Sequence, residues 1–465
     1  MNMINVRRLT VMTFLGAGML SSISAQVSPL QVDTLKETKI PDQWDLQSCI
    51  DYAKEQNITI RKNRITAAST QIDVKTAKAA MFPSLSFSTS QQVVNRPYQE
   101  TSSRVSGNEI ISSNSKTSYN GNYGLNASWT LYNGNKRLKT IQQEKLNNQM
   151  AELDVATSEN NIQESIAQVY IQILYAAESV KVNENTLQVS IAQRDRGQEL
   201  LNAGSIAKSD LAQLEAQVST DRYQLVTAQA TLEDYKLQLK QLLELDGENE
   251  MNIYLPALSD ENVLAPLPTK RDVYISALSL RPEIEASKLN VEASELGINI
   301  AKSSYFPTIS LSAGIGTNHT SGSDFTFGEQ VKNGWNNSIG LSVSVPIFNN
   351  RQTKSAVQKA KLQYETSMLS LLDEQKALYK TIESLWLDAN SAQQRYAAAN
   401  EKLKSTQISY ELISEQFNLG MKNTVELLTE KNNLLQAQQE QLQAKYMAIL
   451  NTQLLKFYQG DQLAI

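Results

Sequence analysis

NSIGLSVSVPIF, residues 337–348, alternates with a period of two. Ile339, Leu341, Val343, Val345 and Ile347 fall on one side, and Gly340, Ser342, Ser344 and Pro346 on the other. Successive side chains of a strand point to opposite faces, so the segment predicts a β-strand with one apolar face and one small or polar face. Upstream, Ile309, Leu311, Ala313 and Ile315 alternate with Ser310, Ser312, Gly314 and Gly316 in the same way. In a third segment Tyr123, Leu125, Ala127, Trp129 and Leu131 share a face. A fourth begins at Leu85 and Phe87 and fades into Ser, Thr and Gln. Polar loops rich in Ser, Asn and Gly, residues 95–119 and 317–335, join the strands in pairs.

Such strands fit either a half-buried sheet on a soluble core or a barrel wall in lipid. Hairpins with long polar loops match the asymmetry of outer-membrane barrels, and about ten residues suit a tilted span of the hydrocarbon. The apolar stripes on the rest of the chain are narrow helical seams, too narrow to cover a sheet. The balance favours lipid, with Leu125, Trp129, Leu311, Ile315, Leu341, Val343 and Val345 facing it. In lipid, unpaired edge N–H and C=O groups find no water, so the sheet must close. Four strands per chain cannot close alone, and an eight-stranded barrel fills its interior with its own side chains. A conduit therefore requires at least three chains.

The helical signal is a heptad. Tyr396, Leu403, Tyr410 and Phe417 recur every seven residues, with Ala399, Thr406 and Ile413 between them. Leu211, Val218, Leu225, Leu232 and Leu239 do the same, accompanied by Leu214, Ala228, Tyr235 and Leu242. No proline interrupts residues 134–201, which predicts a helix about 100 Å long at ~1.5 Å per residue. Helices of that length suit a hollow bundle continuing the barrel, with Gln436, Gln438, Gln439 and Gln441 on wetted faces.

The chain also repeats itself. NITIRKNRITAASTQIDVKTAKAAMFP (57–83) matches RPEIEASKLNVEASELGINIAKSSYFP (281–307), LYNGNKR (131–137) matches IFNNRQT (347–353), and Gly204 matches Gly420. The offset changes only between the first two landmarks, which places the length difference in a polar loop. The expected organisation is a first repeat over 44–246, a linker with a short equatorial helix over 247–280, and a second repeat over 281–465. Thr269 is the expected cap of that short helix, with Asp272 in its first turn. Ahead of the repeats, Arg7 and Arg8 precede an apolar run that ends in small residues at Ser24-Ala25. That order predicts a secretory signal peptide over 1–25, followed by an N-terminal extension over 26–43.

Across 465 residues a net charge of -5 offers no basic face for nucleic acid. One Cys and one His exclude a disulfide framework, a cysteine zinc cage and a multi-histidine metal site within the chain. No catalytic residue, metal site or cofactor is expected. His319 reads as an exposed bystander in a loop, and Cys49 as a small buried apolar residue.

WDLQSCIDYA (44–53), Arg281-Pro282-Glu283-Ile284 followed by YFPTIS (305–310), and VPIFN (345–349) resemble signatures of the TolC-like outer-membrane efflux family. The resemblance covers nearly all of the chain after the signal segment. It implies a mainly α protein with a membrane β-barrel: four strands per chain close as a twelve-stranded homotrimeric barrel on a periplasmic α-helical coiled-coil tunnel. It also implies a passive duct, not an enzyme, that meets a periplasmic adaptor (membrane fusion) protein and an inner-membrane pump. The competing reading is an exported coiled-coil scaffold or adaptor without a pore, which explains the heptads but not the matched hairpins.

Two turns mark the far end of the helices. Gly204 and Gly420 sit where a helix would end in a left-handed cap, and each is followed six residues later by an acid, Asp210 and Glu426. Three chains would set these acids in rings. The resemblance implies Glu426 at the constriction and Lys422 as a tie between neighbouring hairpins. It also implies a weaker ring, because Thr429 stands where a second acid is common. The adaptor is expected at the same tips, around Gly204, Leu211, Gly420 and Leu427.

Overall fold

The computed structural model describes residues 41–98, 102–106, 109–113, 116–246, 251–256, 263–321 and 325–463. The expected signal peptide, and the extension up to residue 40, lie outside these. Residues from Gln43 onward form one compact unit.

Its first half runs α1 (Leu46–Gln56), α2 (Ile58–Ala79), β1 (Ser84–Asn95), β2 (Ser102–Ser106), β3 (Glu109–Ser113), β4 (Thr117–Asn133), α3 (Lys136–Asn202) and α4 (Lys208–Leu242). Its second half runs α5 (Lys270–Leu280), α6 (Pro282–Lys302), β5 (Thr308–Thr320), α7 (Phe327–Asn333), β6 (Asn336–Ser344), α8 (Gln352–Asn418) and α9 (Thr424–Gln459). Helix α3 and its counterpart α8 each have 67 residues. Both are entered through two successive left-handed residues, Gly134-Asn135 in one copy and Asn350-Arg351 in the other. At Gly134 a Cβ would fall 2.6 Å from the Ser303 carbonyl oxygen, so the first copy requires glycine there.

The strands form an antiparallel sheet in the order β1-β4-β5-β6. Its register aligns Phe87 with Leu125 and Ile315, Trp129 with Leu311 and Leu341, and Ile309 with Val343. Cross-strand partners share a face, so one face is apolar throughout its middle. The other carries Ser86, Asn126, Ser128, Ser310, Ser312, Gly314, Gly340 and Ser342. Two sequence expectations are corrected. Val345 lies just beyond the end of β6, next to Pro346, whose missing N–H cannot continue the ladder. The polar loops are also shorter and more ordered than expected. Strand β1 extends to Asn95, β4 starts at Thr117 and β5 continues to Thr320, while the loops hold the β2–β3 pair and helix α7.

Each sheet strand is joined end to end with a helix: α2 to β1, β4 to α3, α6 to β5 and β6 to α8. The helices keep the sheet's lateral order, α2 against α3, α3 against α6 and α6 against α8. Nearer the glycine turns, α4 pairs with α3 and α9 with α8. Halfway along, α1 packs Cys49 and Ile50, with Trp44 just ahead of it, onto Ile166, Tyr170 and Leu174 of α3, in one core with Tyr396 of α8 and Ile449 of α9. Helix α5 packs Val273 and Ala277 against Ile284 of α6, Ile382 of α8 and Leu455 of α9. Cys49 is fully buried, and burial pushes its thiol up to about 12, which keeps it unreactive.

Arg281, between α5 and α6, fastens this belt across the two halves. It reaches Glu164 of α3 at 2.6 Å and lies 3.6 Å over the Tyr458 ring. Burial pushes the Tyr458 hydroxyl up to about 12, with Glu164 adding to the effect, so it stays protonated as a donor to that carboxylate. Arg281→Met should leave Glu164 half-buried without its cation and cost about 3 kcal/mol. Thermal melting of the purified protein should show the loss, and adding Glu164→Gln should recover part of it.

Candidate functional site

The helical tips at Gly204 and Gly420 have the same construction. Gly204 N–H donates to the Leu201 carbonyl at 2.9 Å and Ser205 N–H to Leu200 at 2.8 Å. Gly420 N–H donates to Phe417 at 3.0 Å and Met421 N–H to Gln416 at 2.8 Å. This paired closure of the last carbonyls requires a left-handed residue, and the two glycines have φ of 73° and 74°. Nothing lies within 4 Å of a Cβ built on either, so backbone conformation, not crowding, selects glycine.

The acids cap the returning helices. Asp210 accepts from the Ala207 N–H at 3.0 Å. In the second tip Asn423 accepts from the Glu426 N–H at 2.9 Å, and Glu426 accepts from the Asn423 N–H at 3.3 Å, a reciprocal capping box. Lys422 donates to the other oxygen of Glu426. The Lys422 ammonium, and then the Asn423 N–H, hold the Glu426 carboxyl below its usual range. Thr429 turns its hydroxyl back to the Val425 carbonyl at 2.8 Å and adds no charge.

Leu211 and Leu427 were expected at a contact surface, but both are buried inside the hairpins with Phe417. There they fix the shape of the turns, because the heptad seam continues into the tip. The apolar surface presented at the second tip is instead Leu419, Met421 and Val425, which are 74%, 70% and 58% exposed. Two of the three lie in the turn between α8 and α9, where no periodicity marks them.

A buried polar triad that no periodicity announces joins three helices. Ser190 of α3, Asp221 of α4 and Lys431 of α9 bond to one another, and Gln217 donates to the second Asp221 oxygen at 2.9 Å. The ion pair is nearly inaccessible, with side chains 3% and 1% exposed. Burial pushes the Lys431 ammonium down, and the Asp221 carboxylate opposes that shift. A signal did exist. Asp221 fills the seam position between Leu214 and Ala228, and Lys431 lies between Leu427 and Leu434. A charge at a coiled-coil seam commonly fixes register at a cost in stability. Gly197, also on the α3 seam, admits Leu214, whose methyl would collide with an added Cβ.

His319 is corrected as well. It belongs to β5 and is buried, facing Gly121 across the ladder. Among the described residues, no helix is long and apolar enough to cross a membrane.

The family model described as outer membrane efflux protein matches residues 49–244 and 273–460. Outer membrane efflux protein BepC of Brucella suis biovar 1 (strain 1330) is 24% identical over 294 residues, covering 63% of this chain and 61% of BepC. Outer membrane protein TolC of Escherichia coli (strain K12) is 24% identical over 294 residues, covering 61% of this chain and 58% of TolC. The matched part thus spans less than two thirds of these relatives. A crystal structure of CusC superposes with a TM-score of 0.75 at 19% identity, over 90% of this chain and 92% of CusC.

Lys431→Met alone should strand the Asp221 carboxylate and cost about 3–5 kcal/mol. Lys431→Met with Asp221→Leu should recover most of that in thermal melts. If the double variant melts as low as the single one, the triad contributes more than register.

Proposed function

Because the chain belongs to the outer membrane efflux protein family, we propose that it is the passive outer-membrane duct of a tripartite export system, assembled as a homotrimer. The observation that carries this reading is the four-stranded sheet, apolar on one face and Ser-, Gly- and Asn-rich on the other, with every strand joined to a helix. Three chains give twelve strands over twelve helices, a barrel wide enough to conduct. Closure would join the β1 edge of one chain to the β6 edge of the next. Exposed apolar side chains support the same assembly, with Tyr223, Val226 and Leu237 on α4 and Leu362, Leu369, Ile408 and Leu412 on α8. A neighbouring chain would cover them, as coiled-coil seams demand.

In this reading the apolar face meets outer-membrane lipid, the Ser-rich face lines the lumen, and the tunnel lies in the periplasm. A duct of this kind binds and releases without bond chemistry, so it is not an enzyme. The tips form the inner mouth, where three copies of Asp210 and Glu426 would ring the opening. Within one chain Lys422 is engaged by Glu426, so any tie from Lys422 to a neighbouring hairpin would have to compete with that bond. The periplasmic adaptor would meet the tips at Leu419, Met421 and Val425, with the turns held by Gly204, Gly420, Leu211 and Leu427. The inner-membrane pump then selects the cargo.

Ile339→Lys, on the apolar face at mid-sheet opposite Ala313, should cost about 2–4 kcal/mol, while Ser338→Lys, on the opposite face, should be tolerated. The yield of folded trimer in outer membranes separates the two. Equal damage at both positions would reverse the faces or remove the barrel.

Glu426→Ala should raise conductance or relieve divalent-cation block in planar bilayers. Because Lys422 lowers the Glu426 pKa, the ionised ring is fully present above the usual carboxylate value and is lost as pH falls through the depressed one. Divalent block should therefore persist at pH 4.5, where an ordinary glutamate is half-protonated, and be lost only in stronger acid. Block that halves at pH 4.5 would mean Lys422 does not act on Glu426 in the assembly.

A further inference from the structure

Helix α7 is folded back over the end of the sheet farthest from the helices. Thr317 donates its hydroxyl to the Val331 carbonyl at 2.7 Å, and Gln330 accepts the Thr320 N–H at 2.8 Å. Thr326 and Glu329 close the start of the helix as a capping box. Under it lies His319, with Phe327 edge-on at 5.0 Å between ring centroids, Tyr119 at 5.2 Å and Tyr123 stacked at 6.0 Å. Its register partner is Gly121, where an added Cβ would collide with the imidazole. The ring thus covers a bare stretch of backbone, as aromatic side chains do beside strand glycines.

The side on which this happens follows from the ladder. Ile309, Leu311, Ala313, Ile315, Thr317 and His319 alternate along one face of β5, and Trp129, Tyr123 and Gly121 share it on β4. The helix therefore sits on the apolar face, just where the aliphatic band gives way to Thr317 and His319. Phe327 is 44% and Trp335 57% exposed there, beside the exposed Lys332. Aromatic rings with one apolar and one polar aspect favour the headgroup level of a bilayer. Trp129, toward the helical end of the same face, would mark the opposite interface.

We infer that α7 and Trp335 form an interfacial anchor that docks the outer rim of the barrel on the phosphate-bearing headgroup layer of the outer leaflet. His319, Tyr119 and Tyr123 are the platform that holds it there, which gives a purpose to the chain's single histidine. This rests on the barrel reading above.

The test uses the full chain in phosphatidylcholine vesicles carrying bromine either near the headgroup or near the chain ends. Emission of the wild type minus that of Trp335→Phe isolates Trp335, and the difference for Trp129→Phe isolates Trp129. Both variants keep an aromatic ring, so assembly should be preserved. Trp335 emission should be lost mainly to shallow bromine and little to aqueous iodide. Loss to iodide with none to bromine would put α7 in water and overturn the anchor, and so would greater loss to deep bromine. In either case quenching of Trp129 by lipid would leave the barrel intact. If neither Trp129 nor Trp335 responds to brominated lipid, the membrane placement itself fails.

Discussion

The unpaired edges of β1 and β6 constrain everything else. A peptide N–H or C=O left open in hydrocarbon costs several kcal/mol, and no water is there to meet it. Four strands cannot curl enough to pair their own edges, so in the proposed barrel the sheet is complete only in an assembly. The same constraint explains why each strand is joined end to end with a helix. If the strands close a ring, the helices aligned with them inherit the ring and its lumen. The exposed apolar residues on α4 and α8 then become seams between chains.

Halfway along the long helices the molecule carries most of its globular core. Helices α1 and α5 and the linker segments pack against α3, α8 and α9, with Arg281 and Glu164 bonded across the two halves. The long helices above and below have narrow seams and wet faces. Rigidity is therefore concentrated in the belt, and the distal hairpins depend on local devices: glycine turns, capping acids and one buried triad. Any rearrangement of the distal hairpins must repack Ser190, Asp221 and Lys431, because their bonds join α3 and α4 to α9. A buried charge tolerates displacement poorly, so those hairpins should move between discrete arrangements.

The sheet has a comparable division. Its middle is aliphatic and uniform, while its outer end is specialised, with His319 seated on Gly121 and α7 laid over both. A conduit needs only the uniform part. The outer end addresses a separate problem, the seating of the rim at a boundary between oil and water.

The sequence by itself determined the elements, because their information is local. Alternation over residues 337–348 specifies the face of β6, and heptads in α4 and α8 specify long helices without any knowledge of neighbours. The internal match of LYNGNKR with IFNNRQT was enough to expect two copies, and both show the same left-handed entry into a 67-residue helix. The positions of Asp210 and Glu426 after their glycines were equally legible, since a cap and its acid lie within one turn. Only the tertiary structure decided which seam residues meet. Asp221 and Lys431 lie 210 positions apart, and neither carries a local sign of the other. It likewise decided that Leu211 and Leu427 point into the hairpins and that His319 lies beneath a helix its own loop supplies. Periodicity says that a side chain belongs to a face. What covers that face depends on packing between segments distant in the chain, and a period does not encode that.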